Sequence, residues 1–508
     1  MSILFPLRDL LATVGIAAET EQLISGVALD TRELRPGNLF LALRGQREHG
    51  LRHLAPAIAR GAAAVLAELP LPADLDVPAT LPAFAAPDLR ARAGEIANLV
   101  YGAPSATLKV IGVTGTNGKT STVQFIAQAA VRCGRVPASQ GTLGSGPLDA
   151  LAPQERTTPD VCTTHRFLGE MRDRGTDLVA MEVSSHALDQ GRVDGVLFSV
   201  AVFTQLTRDH LDYHGSMDAY FAAKSRLFAA PGLRTAVINL DDAFGRRLLA
   251  NLPTRVAAIS YSAEGNPQAH LSARDVVLDS RGLRFELHFE GNTFAVCSAL
   301  IGRFNVDNLL AASAALLALG IPLTTIVAAL PWLQPVPGRM NCIGGGDAPL
   351  VVIDYAHTPD AIAKALSALG EHAPRLLSIV FGCGGERDRG KRAQMAAAAE
   401  AVADRVYVTD DNPRSENGDA IVADIRAGFV RPQQVIFERD RRAAIALAVS
   451  VAQPGDIVLI AGKGHELTQD ICGRKWAFDD QAVAAECLAQ LARSGNSAAN
   501  PHLSGAAR

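Results

Sequence analysis

The sequence predicts an α/β fold with three domains. Its 508 residues correspond to about three domains at roughly 150 residues each. Short β-branched runs alternate with helix-period stretches through the middle and last thirds of the chain, which favours mostly parallel sheets. Hydrophobic residues make up 48% of the chain and charged residues 20%. This composition suits large cores and excludes disorder over most of the length.

Proline-rich punctuation and a linker-like segment predict the domain boundaries. The first domain covers residues 1–88 and ends in a proline-rich stretch near Pro87, the second covers residues 89–334, and the third covers residues 335–493. Residues 494–508 lack periodicity, which predicts a disordered tail. The predicted strands of the second and third domains lie at 109–113, 178–183, 199–203, 235–240, 255–262, 350–354, 376–381, 405–410 and 456–462.

Charge and hydropathy exclude several classes of protein. A net charge of −4 does not fit a polybasic nucleic-acid binder. Seven cysteines without a CxxC pair predict free thiols in the cytoplasm rather than a disulfide framework. The stretch from Leu309 to Pro337 has no charge and is long enough to span a bilayer. Because Gly320 and Pro322 interrupt it, we expect two short buried helices and a soluble protein without a membrane partner.

The strongest local motif is a glycine-containing loop between a predicted strand and a predicted helix. Glycines let backbone N–H groups approach phosphate oxygens, and the helix N-terminus adds partial positive charge. In such loops the lysine reaches the β- and γ-phosphates and the threonine holds Mg²⁺. Val113 stands where the strict Walker pattern has glycine, so an ordinary strand–helix turn is the alternative. The loop consists of Gly115, Thr116, Asn117, Gly118, Lys119, Thr120 and Ser121.

Polar segments follow the predicted strands of the third domain. They read YAHTPD, GCGGERDRGKR, DNPRSEN and KGHE. Ligands of open parallel sheets bind at the carboxyl ends of the strands. The sequence therefore predicts a second site at this edge of the third domain.

Ten blocks together, the phosphate loop included, resemble the Mur ligase family, the ATP-dependent amide ligases that build the peptide of peptidoglycan. The resemblance implies a small N-terminal UDP-binding α/β domain, a central P-loop parallel-sheet ATPase domain and a C-terminal Rossmann-like α/β domain. The other nine blocks are TTPD (157–160), MEVSSHAL (181–188), LTRDHLDYHG (206–215), GRFNVDN (302–308), PGRM (337–340), DYAHTPD (354–360), GGERDRGKR (384–392), DNPR (411–414) and GKGHE (462–466).

The resemblance also implies a reaction. A substrate carboxylate attacks the γ-phosphate of ATP, and an amine then attacks the resulting acyl phosphate. The DNPR block resembles the form that adds meso-2,6-diaminopimelate to UDP-MurNAc-L-Ala-D-Glu in peptidoglycan precursor synthesis, with ATP and Mg²⁺ as cofactors. We expect a monomer that acts on these small molecules. The alternatives are an L-lysine-adding tripeptide synthetase, a folylpolyglutamate synthetase-like ligase, and a P-loop ATPase that is not a ligase.

Residues of the nucleotide and metal sites follow from the family pattern. The implied catalytic residues are Lys119, Glu182, His210, carbamylated Lys224 and Arg339. The implied Mg²⁺ ligands are Thr120, Glu182, His210 and Lys224. Asn305, Asn308, Arg339 and Asp354 join the phosphate loop in ATP binding. Without the family, Lys224 would be a solvated surface lysine, Glu182 an exposed strand-end acid, His210 structural, Arg339 a linker arginine and Asp354 a helix cap.

Two further residue sets are implied for the substrates. Arg414 offers a planar two-pronged donor for the second carboxylate of diaminopimelate; the alternative is that it caps its loop or pairs with Glu416. Arg156, Gln205 and Asn341 depart from the family pattern. The UDP-substrate set is Leu29, Thr31, Gln46, Arg47, Glu48, Thr157, Thr158, Ser184, Gln190 and Arg192. The diaminopimelate set is Arg387, Asp411, Asn412, Pro413, Arg414, Ser415, Gly462 and Glu466.

Overall fold

The computed structural model describes residues 4–498 apart from residues 46, 47, 75, 76, 280, 339 and 465, with residues 212 and 494–498 described by their backbone alone. The chain forms two compact units. The first comprises Met1–Ser272 and Asn308–Ala329, and the second comprises Ala273–Asp307 and Leu330–Arg508.

The N-terminal part of the first unit contains a four-stranded parallel sheet in the order β3-β4-β5-β6 and a small antiparallel pair, β1-β2. Strands β4 and β5 are buried along their whole length, as expected for strands covered on both faces. The elements are β1 (Phe5–Pro6), α1 (Leu7–Thr13), β2 (Leu23–Ile24), β3 (Gly26–Ala28), β4 (Asn38–Ala42), α2 (Leu54–Ala59), β5 (Ala64–Glu68), β6 (Ala83–Ala86) and α3 (Leu89–Val100).

The rest of the first unit is built on a larger sheet with the strand order β14-β13-β12-β11-β7-β10-β8-β9, of which β14 contributes only Leu271 and Ser272 to this unit. All neighbours are parallel except β8 and β9. The elements are β7 (Lys109–Thr114), α4 (Lys119–Arg132), β8 (Pro137–Gly141), β9 (Gly144–Pro147), α5 (Val161–Asp173), β10 (Leu178–Glu182), α6 (Ser185–Asp189), β11 (Val200–Phe203), α7 (Leu211–His214), α8 (Met217–Ser225), β12 (Thr235–Asn239), α9 (Ala243–Ala250), β13 (Ala257–Ser262) and β14 (Leu271–Asp279).

The uncharged stretch forms two helices, as predicted. Helix α10 (Phe304–Ala318) ends before Gly320, which has a φ of +82°, and α11 (Leu323–Ala329) begins after Pro322. Leu309, Leu316 and Ile326 are completely buried. Within the described residues, every helix is too short or too polar to cross a membrane.

The second unit contains a six-stranded sheet in the order β17-β18-β22-β19-β20-β21, parallel except for β17. The second unit also contains two antiparallel hairpins, β15-β16 and β23-β24. The elements are β15 (Gly282–Phe289), β16 (Asn292–Ser298), β17 (Asn341–Gly344), β18 (Leu350–Asp354), α12 (Pro359–Gly370), β19 (Leu377–Phe381), α13 (Gly390–Val402), β20 (Arg405–Val408), α14 (Gly418–Arg426), β21 (Ile436–Phe437), α15 (Arg441–Ser450), β22 (Ile457–Ala461), β23 (Thr468–Ile471), β24 (Arg474–Ala477) and α16 (Asp480–Ala498).

The predicted α/β class with parallel sheets is confirmed, and each predicted strand is present within two residues of its expected ends. The tail differs from the prediction. Helix α16 continues to Ala498, whereas disorder was expected from residue 494, because extending an existing helix costs less than starting one. Residues 499–508 lie outside the described residues.

Candidate active site

The phosphate loop joins β7 to α4, so the predicted strand–loop–helix order is confirmed. Gly115 has a φ of +154°, and a Cβ there would lie 1.9 Å from Thr204 Oγ1. The Thr204 hydroxyl donates to Asn117 O (2.6 Å), and Thr116 N donates to Gln205 O (2.8 Å). The segment after β11 therefore packs so closely against the loop that glycine is required at position 115.

Two lysines share one carbonyl of this loop. Lys119 Nζ donates to Gly115 O (3.0 Å) and Thr116 O (2.8 Å), and Lys224 Nζ donates to Gly115 O (2.8 Å). Lys224 is only 1% exposed, so the surface-lysine interpretation is wrong. Burial holds the pKa of Lys224 well below its usual range, and the charge of Lys119 lowers that pKa further. The environment thus favours a neutral amine at Lys224.

Helix α8 positions Lys224. The helix begins after Ser216, whose Oγ accepts a hydrogen bond from Ala219 N (3.2 Å), and this confirms the predicted cap. Tyr220 lies one turn before Lys224, and the lysine Nζ is 4.6 Å from the centre of its ring. The Tyr220 hydroxyl is 3.3 Å from Thr116 Oγ1. One face of α8 therefore contacts the phosphate loop through two side chains.

Glu182 ends β10 and is 1% exposed, so the exposed-acid interpretation is wrong. Its Oε1 accepts a hydrogen bond from Thr142 N (2.7 Å), and a Cβ on Gly141 would lie 2.3 Å from the same oxygen. Thr142 Oγ1 is in turn 3.1 Å from Thr157 Oγ1. No sequence block marked Thr142, which lies in the turn between β8 and β9.

The candidate metal ligands follow neighbouring strands. Because β10, β7 and β11 are adjacent and parallel, Glu182, Thr120 and His210 all follow carboxyl ends at one edge of the sheet. The His210 ring is 4.8 Å from that of His186 and 6.1 Å from that of Tyr220, and its side chain is 48% exposed. Within the part of the chain that is described, no group of three or more His, Cys, Asp or Glu side chains could hold a metal ion.

The remaining residues expected to bind nucleotide are divided between the two units. In the first unit, Asn308 Oδ1 accepts from Thr122 Oγ1 (3.3 Å) and would lie 2.7 Å from a Cβ on Gly118, so Asn308 borders the phosphate loop. In the second unit, Asn305 is buried and Asp354 accepts from two backbone amides, Met340 N and Ala356 N, each at 2.9 Å. Thr358 caps α12, so the helix-cap interpretation of Asp354 is wrong. Arg339 lies outside the described residues.

A cavity of about 570 Å³ in the first unit brings together residues from distant parts of the sequence. Leu29 and Thr31 line it together with Gln190 and Arg192. Gln190 Oε1 accepts from Arg192 Nη2 (2.6 Å), which fixes the guanidinium plane. Arg156, one of the departures from the family pattern, also lines this cavity.

Some of the other residues of the predicted UDP-substrate set lie close to Arg192 of this cavity, and two are outside the described residues. Thr158 is completely buried; its Oγ1 donates to Glu182 O (2.9 Å) and accepts from Ser184 N (3.1 Å). Arg192 Nη1 donates to Thr158 O (3.0 Å). Glu48 is exposed and lies 3.1 Å from His53 Nε2. Gln46 and Arg47 are outside the described residues.

Three loops meet at the carboxyl edge of the sheet in the second unit. The loop after β19 contacts the loop after β20, because Gly385 N donates to Asn412 O (2.9 Å) and Arg414 Nη1 donates to Gly385 O (2.6 Å). Glu416 pairs with Arg392 at 2.7 Å, so the suggested Arg414–Glu416 pair is wrong. The loop after β22 joins them, since Asn412 Nδ2 donates to Glu466 Oε2 (2.9 Å).

The remaining members of the predicted diaminopimelate set lie on the same loops. Asp411 is buried, which raises the pKa of its carboxyl group. A Cβ on Gly462, whose φ is +114°, would lie 2.4 Å from Asp411 Oδ2. Arg387 is exposed, Pro413 is buried, and the Ser415 hydroxyl bonds to Glu386 Oε1.

Buried charges support these loops, and sequence patterns did not reveal them. Arg441 and Asp480, both completely buried, form an ion pair at 2.7 Å, and Arg441 Nη2 also donates to Ala461 O (3.0 Å) at the end of β22. Lys463 is completely buried as well. The GKGHE block was the only sequence feature that pointed to Lys463. No sequence feature pointed to Arg441 or Asp480.

The fold and the first of these sites define a class: an α/β protein with a phosphate-binding loop at the carboxyl edge of a parallel sheet. Two family profiles match the chain, "Mur ligase middle domain" over residues 113–316 and "Mur ligase, glutamate ligase domain" over residues 338–464. The chain belongs to the Mur ligase family and is a ligase.

Individual relatives agree with this assignment. The UDP-N-acetylmuramoyl-L-alanyl-D-glutamate--2,6-diaminopimelate ligase of Xanthomonas campestris pv. campestris (strain 8004) is 55% identical over 496 residues, which cover 97% of this chain and 99% of the relative. The ligase of the same name from Pseudomonas aeruginosa is 51% identical over 93% of this chain and 96% of its own. A solved structure of a ligase of that name superimposes with a TM-score of 0.75 at 37% identity, covering 96% of this chain and 99% of that one.

Proposed function

We propose that this chain adds meso-2,6-diaminopimelate to UDP-MurNAc-L-Ala-D-Glu in an ATP-dependent ligation. The observation that carries the proposal is 55% identity, over nearly the whole of both chains, to a relative named for this reaction. The convergence of the GGERD, DNPR and GKGHE loops at one sheet edge supports it, because that edge is where parallel sheets bind ligands.

In this proposal the first unit activates the substrate carboxylate. Lys119 contacts the transferring phosphoryl group of ATP, where a positive charge stabilises the charge of the transition state. The loop amides and the N-terminus of α4 bind the other phosphates, and Asn308 borders them. Asn305, Arg339 and Asp354 remain proposed contacts of the nucleotide. The products of this step are an acyl phosphate and ADP. The incoming amine then attacks the acyl carbon, inorganic phosphate leaves, and the amine loses a proton.

We also propose a Mg²⁺ site supplied by Thr120, Glu182, His210 and a carbamate on Lys224. A bound Mg²⁺ would neutralise phosphate charge during transfer. Lys224 fits this role because a buried neutral amine can add CO₂ and release a proton, which converts the amine into an anionic carbamate with oxygen ligands of the kind that Mg²⁺ prefers. Glu182 fits because its carboxylate is buried at the strand end and directed toward the turn at Thr142.

The proposed UDP-substrate site is the 570 Å³ cavity of the first unit, with Thr157, Thr158 and Ser184 beside it. For the amino acid, we propose that Arg414 binds the distal carboxylate and that Arg387 binds the carboxylate beside the attacking amine. Glu466 accepts from the distal ammonium, and Asn412 adds an amide contact. Asp411, Pro413, Ser415 and Gly462 would shape that site. Gln46, Arg47 and Glu48 remain predicted contacts of the UDP-substrate.

The wider organisation is proposed on the same basis. The proposal of three domains, 1–88, 89–334 and 335–493, is supported by the separate sheets of residues 26–86, 109–298 and 341–461. We propose that the protein is a monomer. We also propose that it is cytoplasmic, because the reaction uses nucleotide substrates and the cysteines in the structure are all free thiols.

Release of ADP tests the function. The purified chain is incubated with ATP and Mg²⁺, with and without UDP-MurNAc-L-Ala-D-Glu and meso-diaminopimelate. We expect ADP and tripeptide product only when both substrates are present. ADP release without an acceptor would instead indicate an ATPase, equal use of L-lysine would indicate a lysine-adding enzyme, and use of folate plus glutamate would indicate a folylpolyglutamate synthetase.

A further inference from the structure

Lys463 is a buried cation to which the proposed reaction assigns no role. It lies in the loop after β22 and is 0% exposed. Its ammonium donates to Asn412 Oδ1 (3.2 Å), Glu466 Oε2 (3.2 Å) and Thr468 O (2.6 Å). An ammonium has three hydrogens, so each of them has an acceptor within the protein. Lys463 therefore has no donor left for a substrate.

These three acceptors come from three segments: the DNPR loop, the GKGHE loop and strand β23. Asn412 Oδ1 also accepts from Asp470 N (2.9 Å). With its oxygen held by two donors, the Asn412 amide must direct its NH₂ group to the other side, where it donates to Glu466 Oε2 (2.9 Å). The contacts of Lys463 thus determine which way the Asn412 amide faces.

Glu466 is held in the same way. Its Oε2 accepts from both Lys463 Nζ and Asn412 Nδ2, and its side chain is 34% exposed. Oε1 accepts no hydrogen bond from any described residue. One oxygen is consequently fixed within the protein, and the other is available to a ligand.

We propose that Lys463 is a positioning residue for the amino-acid substrate. It orients Glu466 and Asn412 so that the free Glu466 oxygen receives the ammonium group at the distal end of a diamino acid. This inference rests on the proposed function and adds a residue to it. A purely structural role for Lys463 makes a different prediction, namely that its removal affects stability or all substrates alike.

The first test replaces Lys463 by methionine, which keeps the length of the side chain and removes its charge. We expect the KM for meso-diaminopimelate to rise about tenfold or more, since a charge-assisted hydrogen bond to the substrate is lost. The KM values for ATP and the UDP-substrate, and kcat at saturating diaminopimelate, should stay within about threefold of wild type. Lys364→Met is the matched control, because Lys364 is an exposed lysine of the same unit paired with Asp360.

A double-mutant cycle separates positioning from structure. If Lys463 acts through Glu466, the double variant Lys463→Met/Glu466→Gln should have the same diaminopimelate KM as Glu466→Gln alone. If the KM increase of the double variant equals the product of the increases in the two single variants, the proposal is wrong. It is also wrong if Lys463→Met folds and its diaminopimelate KM is unchanged. Should Lys463→Met not fold, Lys463→Gln is measured against the same outcomes.

The wild-type assay distinguishes this inference from the function on which it rests. If the wild-type chain forms no product with meso-diaminopimelate, the proposed function is wrong. If the wild-type chain uses meso-diaminopimelate but Lys463→Met leaves its KM unchanged, only the role of Lys463 is wrong.

Discussion

The lysine and arginine side chains at the sites of the two units have different kinds of hydrogen-bond partner. At the phosphate loop of the first unit, Lys119 and Lys224 both donate to backbone carbonyls, and both contact Gly115 O. At the sheet edge of the second unit, buried cations pair with carboxylates, as in Arg441–Asp480 and Lys463–Glu466. A carbonyl satisfies the hydrogen bond of a cation without cancelling its charge, whereas a carboxylate does both.

This difference matches the ligands proposed for the two sites. A positive charge at the phosphate loop attracts polyphosphate, and it also lowers the pKa of a second amine close by. A site whose buried cations are already paired recognises a zwitterion by the geometry of individual donors and acceptors, and a misfit leaves a buried group unpaired.

The largest effect is expected at Lys119. Lys119→Ala should lower kcat about 10²–10³-fold while leaving the fold intact, because a charge on the transferring phosphoryl group is lost. Steady-state kinetics and circular dichroism test this. Lys109→Ala is the control, since Lys109 is an exposed lysine at the opposite end of β7. An unchanged kcat in folded Lys119→Ala would contradict the ATP-binding role of the loop. It would also contradict the role that the comparison gives to a positive charge in the first unit.

Lys224 tests whether its amine is neutral and reactive. Lys224→Ala should lower activity by roughly 10²-fold, the order expected when a metal site loses a supporting group. Added small carboxylates should restore part of the activity by supplying the missing oxygen. A crystal structure with ATP and Mg²⁺ that shows a bare Lys224 amine directed to solvent would contradict the carbamate.

Arg414 tests the second half of the comparison. L-Lysine lacks the distal carboxylate, so it would leave the Arg414 guanidinium without a carboxylate partner, a penalty of at least about 2 kcal/mol or roughly thirtyfold in kcat/KM. The wild-type chain should therefore prefer meso-diaminopimelate by that factor. Arg414→Ala should lose the preference. Equal kcat/KM values in the wild type, or undiminished preference in Arg414→Ala, would show that another group selects the substrate.

The smallest expected effect is on stability and concerns two buried histidines, one in each unit. Burial lowers the pKa of His165 to about 4 from 6.5. Its Nε2 bonds to Asp194 O (2.9 Å), and its Nδ1 has no partner among the described residues. His372 in the second unit has partners on both ring nitrogens, Asp279 O and Gly302 N, although burial lowers its pKa too.

Because the unfolded chain binds a proton at His165 that the folded chain rejects, stability falls with acid. Between about pH 6.5 and about pH 5.5 the loss from His165 should be about 1 kcal/mol. Denaturant unfolding of the wild type, His165→Gln and His372→Gln over this range measures it. The His165→Gln curve should be flatter than that of the wild type. Parallel curves would mean that His165 does not titrate differently in the two states.

Local sequence patterns were sufficient to predict the strands, the phosphate loop and the cap of α8. These features depend on residues close together in the chain: β-branched runs, the spacing of Gly118 and Lys119, and Ser216 before a helix. The ordered blocks also identified the family. Together they predicted which loops carry the chemistry, because parallel strands present their carboxyl ends at a common edge.

The burial and the partners of the charged groups became known only from the folded structure. Lys224 appears in the sequence as an ordinary helical lysine, yet Gly115 O, 109 positions away, is its hydrogen-bond acceptor. Arg441 and Asp480 are separated by 39 positions and form a buried pair, and Thr142 contacts Glu182 across 40. Burial and electrostatic partners depend on which distant segments the fold brings together, and no local pattern encodes that. The pKa of Lys224 and the orientation of Glu466 are therefore properties of the packed molecule.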